Sequence, residues 1–483
     1  MNSNPLLRYQ DLVDHPKLFL ECSRTPLPLT GWVNPAKPGF AAKWLQEESS
    51  PLTWHEPGFK LADSLNAPFL FGFLTGSLLV QEEAAMIPAS LLHLRPGDRV
   101  LDLCAAPGNK TAQLAVALGD TGTVVANDSS RSRLGVLQGT IDRLGLPNVL
   151  TTVGDARSFP IPEHGYDAVL ADVPCSCEGT SRKNGEVLFR ESGNERNHIS
   201  TTQKSILKRA IECVRPGGTV VYSTCTYAPE ENEWVVNEIL KDDQLDVELL
   251  PISIPGFIVQ PGITSWMGAS FDSSVALCAR VWPHINNTGG FFVALLRKKG
   301  SSESDKQPSL KKHDPAGPRL TQAYGSMTRI AATDWPWSVH DFPQADLDQW
   351  ANYPFSNKYG RLVNSDLFVD PTLSPLYVGM TGLNLKSDFP KFSTALAMKV
   401  GHVAKSGVAS ISKDELGAFW SRKSVPYESV VYPGGNSNTV IVSCQGVTIG
   451  LGSLRATEGL IDSRFPKIWG GLEVDDRVQK LAL

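Results

Sequence analysis

Six short apolar runs separated by helix-like stretches constrain this chain more than any other feature. They are Arg99–Cys104 (RVLDLC), Thr123–Ala126 (TVVA), Val149–Val153 (VLTTV), Tyr166–Ala171 (YDAVLA), Thr219–Tyr222 (TVVY) and Phe291–Leu296 (FFVALL). Runs this short and this uniformly apolar read as strands buried on both faces. Between them, Lys110–Leu118, Ser130–Leu144 and Thr201–Val214 read as helices, the last closed by Arg215-Pro216-Gly217-Gly218. Strands alternating with helices make a parallel α/β sheet covered on both faces. Ligands of such sheets sit beyond the carboxyl ends of the strands. The loops after Cys104, Ala126, Val153, Ala171 and Tyr222 are therefore expected around one crevice.

At 483 residues the chain is too long for one ordinary domain. Lys298–Arg319 (KKGSSESDKQPSLKKHDPAGPR) is rich in Ser, Lys, Asp and Pro without apolar periodicity and reads as a linker. The expected division is a small N-terminal accessory domain at 1–70, an α/β catalytic domain at 71–297, the linker at 298–319 and a β-rich C-terminal domain at 320–483. In the first, Asn4–Glu21 reads as a helix and Thr25–Val33 as a strand. In the last, Asn438–Cys444 and Val447–Leu451 read as strands joined by a tight turn at Gln445-Gly446.

No apolar run reaches the ~20 residues of a membrane span, and the first residues lack the basic start and apolar core of a secretory signal. A cytoplasmic protein is expected, or a nuclear one in a eukaryote. Eight cysteines lack the paired spacing of a zinc site. They read as free thiols in a reducing compartment, with no metal expected. A net charge of −5 speaks against nucleic-acid binding by bulk charge and leaves local basic patches.

Four segments converge on the predicted crevice. Cys104-Ala105-Ala106-Pro107-Gly108-Asn109-Lys110 is a turn of small residues opening a helix, which lets backbone N–H groups approach a carboxylate. Asp128 follows the second strand, where an acid accepts hydrogen bonds from ribose hydroxyls. Asp155 follows the third and is placed to face an adenine edge. Alone, either Asp is better explained as a helix cap. A dehydrogenase is disfavoured because the G-x-G-x-x-G fingerprint is absent. Asp172-Val173-Pro174-Cys175-Ser176-Cys177 follows the fourth strand and Ser223-Thr224-Cys225-Thr226 the fifth. Adjacent strands lie ~4.8 Å apart, so Cys175 and Cys225 are expected to share a cavity. Lys110 at the same sheet edge supplies the positive charge that favours a thiolate. Cys22, Cys213, Cys278 and Cys444 read as small core residues instead.

Cys104–Thr111 (CAAPGNKT), Asp172–Ser176 (DVPCS) and Ser223–Thr226 (STCT) together resemble the Nop/Sun (NSUN) family of RNA cytosine-5 methyltransferases. Gln81–Pro88 (QEEAAMIP) is similar to the family's segment ahead of the cofactor loop. Gly179–Asn184 (GTSRKN) and Asn287–Ala294 (NTGGFFVA) are similar to its tRNA-modifying branch. The resemblance covers roughly residues 70 to 297. It implies a Rossmann-like class I methyltransferase fold with S-adenosyl-L-methionine held by Cys104–Lys110, Asp128, Asp155 and Asp172. It implies that Cys225 is the nucleophile, that Cys175 assists product release, and that Asp172 and Lys110 contact the target base. The substrate it implies is structured RNA, tRNA ahead of rRNA, with Arg182 and Lys183 meeting phosphates. Two positions depart from the family: it usually has glycine where this chain has Asn109 and Cys177.

The C-terminal hairpin, with Gly450-Leu451-Gly452, Arg455, Arg464 and Lys467 around it, resembles the PUA-type RNA-binding modules of several family members. A small β domain packed on the catalytic one is the plainer reading. Trp335, Trp337 and Trp350 read as core. Two other functions remain open on the sequence. A DNA cytosine-5 methyltransferase would use Cys175 as nucleophile, and a ribosome-assembly scaffold would bind RNA without turnover. A monomer is expected.

Overall fold

The computed structural model describes residues 4–37, 49–61, 67–189, 193–300, 350–354, 359–364, 367–370, 372–384, 391–434 and 437–466. The catalytic sheet is built from β1 (Arg99–Asp102), α1 (Asn109–Ala117), β2 (Thr123–Asp128), α2 (Arg131–Leu144), β3 (Val149–Val153), β4 (Tyr166–Asp172), α3 (Gly193–Cys213), β5 (Val214–Thr224), α4 (Glu233–Leu240) and β6 (Phe291–Lys298). Across the sheet the order is β6-β5-β4-β1-β2-β3. β1 pairs in parallel with both β2 and β4, with Val100 opposite Val124 and Ala168. β6 runs antiparallel to β5, with Ala294 opposite Tyr222.

Alternation along β1 explains the two-sided burial. Val100 joins one apolar cluster with Ala112, Leu114, Leu134, Leu137 and Ile141 from α1 and α2. Leu101 joins another with Ile206, Leu207, Ala210, Val235 and Val236 from α3 and α4. Successive strand side chains point to opposite faces, so both must be covered. α2 starts at Ser130, whose Oγ accepts from Arg133 N, and ends at Gly145 in the left-handed region, φ 75°.

Three local expectations are revised. The Asn4–Glu21 helix is two pieces, a 3-10 helix at Pro5–Leu12 and an α-helix at Pro16–Cys22. Pro16 lacks an N–H and pushes His15 out of the helical region, φ −132°, ψ 76°. The first strand begins at Thr30 and not Thr25, because Pro26 and Pro28 precede it. Arg215-Pro216-Gly217-Gly218 does not separate helix from strand. It lies inside β5, and the pairing with β4 jumps from Tyr166↔Val214 to Ala168↔Thr219 across it.

The N-terminal sheet has the order Ser49–Leu52, His55–Leu61, Thr30–Val33, Leu78–Val80. The C-terminal region holds a six-stranded sheet containing the expected hairpin, Thr439–Cys444 and Val447–Arg455. Gln445 and Gly446 both have positive φ, 49° and 81°, as a two-residue hairpin turn requires. This region docks on the β3 edge. Tyr377–Val378 pairs antiparallel with β3, and Leu362, Met380, Leu396 and Ile441 share the apolar cluster of α2. Asn364 Nδ2 donates to Asp120 O (3.0 Å) and Gly122 O (3.2 Å). Trp335, Trp337, Lys467 and the expected linker from residue 301 onward lie outside the described residues, as does the Trp350 side chain. Among the described residues no helix is long and apolar enough to cross a membrane.

Asp142 is the polar hinge of this docking. It accepts from Thr381 N and Oγ1 (2.7 Å each) and lies 3.7 Å from the buried Arg361 guanidinium. Asp142→Ala removes the acceptor of Thr381 N, Thr381 Oγ1 and Gln138 Nε2 and the counter-charge near Arg361, and losing buried contacts of this kind costs about 2–4 kcal/mol. The expected outcome is a lower urea midpoint together with faster proteolysis of residues 359–466. Wild-type midpoint and cleavage rate would show that Asp142 does not hold the interface.

Candidate active site

The strand order reverses between β1 and β4, and the chemistry-bearing residues gather there. After β1 the backbone turns sharply. Ala105 N donates to Asn127 O (2.8 Å), Asn127 Nδ2 to Leu103 O (3.0 Å) and Ala106 N to Asp128 Oδ2 (3.2 Å). Gly108 caps α1 at φ 110°, and a Cβ there would lie 2.9 Å from Leu137 Cγ. No side chain caps α1, so its first N–H groups and dipole are left for an anion. Asn109 takes helical geometry and donates to Val80 O (3.2 Å), which ties α1 to the N-terminal sheet. Cys104 is a half-buried residue whose thiol is pushed well up by burial.

Asp128 is buried at the end of β2. It accepts from Ala106 N and from Ser130 N (2.8 Å) and pairs with Arg133 at 3.4 Å. Asp155 sits just past β3, half exposed, with its carboxylate bridged to Arg157. Asp102 is fully buried. Its Oδ2 accepts from Thr111 Oγ1 at 2.7 Å, and its Oδ1 has no partner. Burial raises its pKa to about 7.

Beyond β4, Asp172 Oδ2 accepts from Lys110 Nζ and Oδ1 from Ser223 Oγ, both at 2.7 Å. Burial works against the Lys110 ammonium, but the Asp172 charge and hydrogen bond outweigh it and lift its pKa above the lysine norm. Cys175 Sγ and Cys225 Sγ are 3.4 Å apart, and Cys177 Sγ lies 3.9 Å from Cys175 Sγ. The Cys175 thiol is pushed well up by hydrogen bonds to Cys177 and Cys225 and by burial. Its bond to Cys225 has the opposite effect on Cys225, although contact with Cys177 and burial keep that thiol high as well.

The loop carrying Cys225 is fixed from several sides. Gly179 N donates to Cys225 O and Gly290 N to Gly179 O, each at 2.9 Å. A Cβ on Gly179 would meet Gly290 O at 2.2 Å. Ser176 N and Gln203 Nε2 both donate to Glu231 Oε2 (2.9 Å), and Asn232 Nδ2 donates to Thr226 O (3.0 Å). Glu82 accepts from Gly289 N (2.8 Å), which gives the Gln81–Pro88 segment its place. Tyr227 stacks on Trp282, and Phe19 and Tyr9 of the N-terminal helices pack against it.

Sequence reasoning missed Ser223, Gln203, Glu231 and Asn232 as positioning residues. The run Glu230-Glu231-Asn232-Glu233 ahead of an apolar helix was the available signal. Arg182 lies close to the site but departs from its expected role. Its guanidinium donates to Thr25 O, Thr25 Oγ1, Pro26 O, Asn287 Oδ1 and Thr288 O at 2.7–3.1 Å. It clamps the N-terminal segment, whereas Lys183 is exposed. Cys213, Cys278 and Cys444 are buried as expected, but Cys22 is only partly so.

Residues 89–297 match a family model described as 16S rRNA methyltransferase RsmB/F. Ribosomal RNA small subunit methyltransferase F of Erwinia tasmaniensis is 35% identical over 353 residues, covering 71% of this chain and 69% of that protein. Its Klebsiella pneumoniae counterpart is covered over 63% of its length. The tRNA (cytosine(49)-C(5))-methyltransferase of Pyrococcus abyssi is 34% identical over 253 residues, covering 52% of this chain and 80% of that protein. A methyltransferase homolog from Pyrococcus horikoshii superposes with TM-score 0.53 at 28% identity, covering 62% of this chain and all of that one.

The Asp102 carboxyl gives a pH test of the site's foundation. Its folded pKa is raised, so the native state holds its proton where the unfolded chain has lost it. The stabilisation is complete below the usual carboxylate range, near pH 4, and is lost as pH rises to about 7. Asp102→Asn keeps an acceptor for Thr111 and removes the titration. Its stability relative to wild type is expected to improve from pH 4 to pH 7 and to level off above. Parallel curves in urea unfolding across that window would contradict the assignment.

Proposed function

Because the chain belongs to the RsmB/F (Nop/Sun) family of RNA cytosine-C5 methyltransferases, we propose that it methylates carbon 5 of cytosine in structured RNA through a covalent adduct on Cys225. The observation that carries the reading is the 3.4 Å Cys175–Cys225 pair beside the Lys110–Asp172 contact, at the strand-order reversal. The uncapped α1 terminus and the Gly108 turn suit the carboxylate of S-adenosyl-L-methionine, and buried Asp128 at the end of β2 suits its ribose. When bound, that cofactor supplies an electrophilic methyl on a sulfonium.

Carbon 5 of cytosine is a weak nucleophile until carbon 6 is attacked. Cys225 Sγ forms a bond to carbon 6, the thiol loses its proton, and the ring gains one at N3 through the Lys110–Asp172 pair. Carbon 5 is then enamine-like. After methylation a base takes the proton on carbon 5, the Cys225–carbon 6 bond breaks with its electron pair returning to sulfur and Cys175 placed to assist, and the N3 proton leaves through the Lys110–Asp172 pair. Attack from one face requires an unstacked base, which suits a loop or flipped nucleotide in folded RNA.

The tRNA expectation rested partly on Arg182, whose donors serve the protein itself, and Lys183 remains as an exposed phosphate contact. The relatives' names divide between rRNA and tRNA, and the family description favours small-subunit rRNA first. The C-terminal β-rich region is proposed as a PUA-like second RNA contact. Labelled cofactor offered with unmodified rRNA and tRNA in parallel separates the two substrates.

Cys225→Ala is expected to abolish methyl transfer while cofactor binding by calorimetry is unchanged. Cys175→Ala is expected to accumulate a denaturant-resistant protein–RNA adduct on gels. Adduct formed by Cys225→Ala and lost from Cys175→Ala would reverse the two roles.

A further inference from the structure

Cys177 has no step in the proposed reaction, yet the structure holds it at a position that disfavours any side chain. Its φ is 60° and ψ 18°, in the left-handed region where glycine is at ease. The strained backbone turns its Sγ toward Cys175. The thiols of Cys175, Cys177 and Cys225 all lie within 4.8 Å of one another and each residue is partly accessible. The separations are 3.4 Å for Cys175–Cys225 and 3.9 Å for Cys175–Cys177. A tetrahedral ion with thiolate bonds of ~2.3 Å holds its sulfurs about 3.8 Å apart. Two of the three separations bracket that spacing, and the third, Cys177–Cys225, is within 4.8 Å.

We propose that Cys175, Cys177 and Cys225 form a binding site for a thiophilic metal ion, Zn2+ in the first instance, and that occupancy of this site withdraws Cys225 from attack on the base. Soft thiolates select such ions over Mg2+ or Ca2+. Binding breaks three S–H bonds, forms three Zn–S bonds and releases three protons to water, with no change of oxidation state. A fourth tetrahedral position is left for water. The spacing Cys175-x-Cys177 with Cys225 fifty residues further on is not a paired zinc motif, which is why the sequence alone pointed to no metal. Metal binding stands on the three thiols alone, and only the inhibition rests on Cys225 as nucleophile.

The test uses the full chain, reduced with a phosphine and freed of metal. Co2+ added to wild type is expected to give the near-ultraviolet thiolate-to-metal absorption of one ion per chain, and Zn2+ is expected to displace it. Cys177→Gly restores the residue that the backbone favours, so it folds. It is expected to lose most of that absorption and to bind Zn2+ at least tenfold more weakly. Methyl transfer by wild type is expected to fall with free Zn2+ and return with a chelator, whereas Cys177→Gly keeps its activity at the same free Zn2+. Absence of the absorption in wild type, or its equal strength in Cys177→Gly, overturns the site. Metal bound through Cys177 without loss of methyl transfer overturns the inhibition and bears on the role of Cys225.

Discussion

A 2.7 Å contact between Lys110 Nζ and Asp172 Oδ2 joins the two halves of the site. Lys110 belongs to the first turn of α1 and Asp172 to the last residue of β4, so the contact spans the reversal of strand order. Such a reversal opens a crevice because neighbouring connections leave the sheet on opposite faces. The ion pair closes its floor, and the Ser223 hydroxyl fastens Asp172 to β5. The Cys225 loop and the Cys104–Lys110 turn are thereby held in one frame.

Around that frame the positioning work is spread over distant parts of the chain. In the segment before β1, Glu82 accepts from Gly289 and Val80 accepts from Asn109 of α1. Tyr9 and Phe19 from the N-terminal helices pack on Tyr227, two residues past Cys225. The C-terminal sheet joins at the β3 edge, away from the thiols, and shares the apolar core of α2. Holding a catalytic group through rigid neighbours is what brings reacting atoms into range.

Strand and helix identity in residues 99–298 was legible because buried parallel strands are written as short apolar runs, and Val149–Val153 is read to the residue. Boundaries drifted where polar residues carry strand geometry, as at Asn127, Asp128 and Asp172. Pro16 divided a helix that apolar periodicity alone extends from Asn4 to Glu21. The thiol pair was legible because both cysteines follow adjacent strands. The partners that hold it were not, since Gln203 and Glu231 come from α3 and a turn far along the chain, and nothing local marks them as neighbours. Arg182 misled for a related reason: a basic residue beside a site reads as a phosphate contact until its guanidinium is seen to make five contacts with Thr25, Pro26, Asn287 and Thr288.

Carbon 5 chemistry through Cys225 is tested most directly by RNA carrying tritium at carbon 5 of cytosine. Covalent attack at carbon 6 followed by methylation expels that hydrogen, so one tritium should enter water for each methyl incorporated, and Cys225→Ser should release none. Methyl incorporation without tritium release would place the methyl on another atom and contradict the assignment of Cys225.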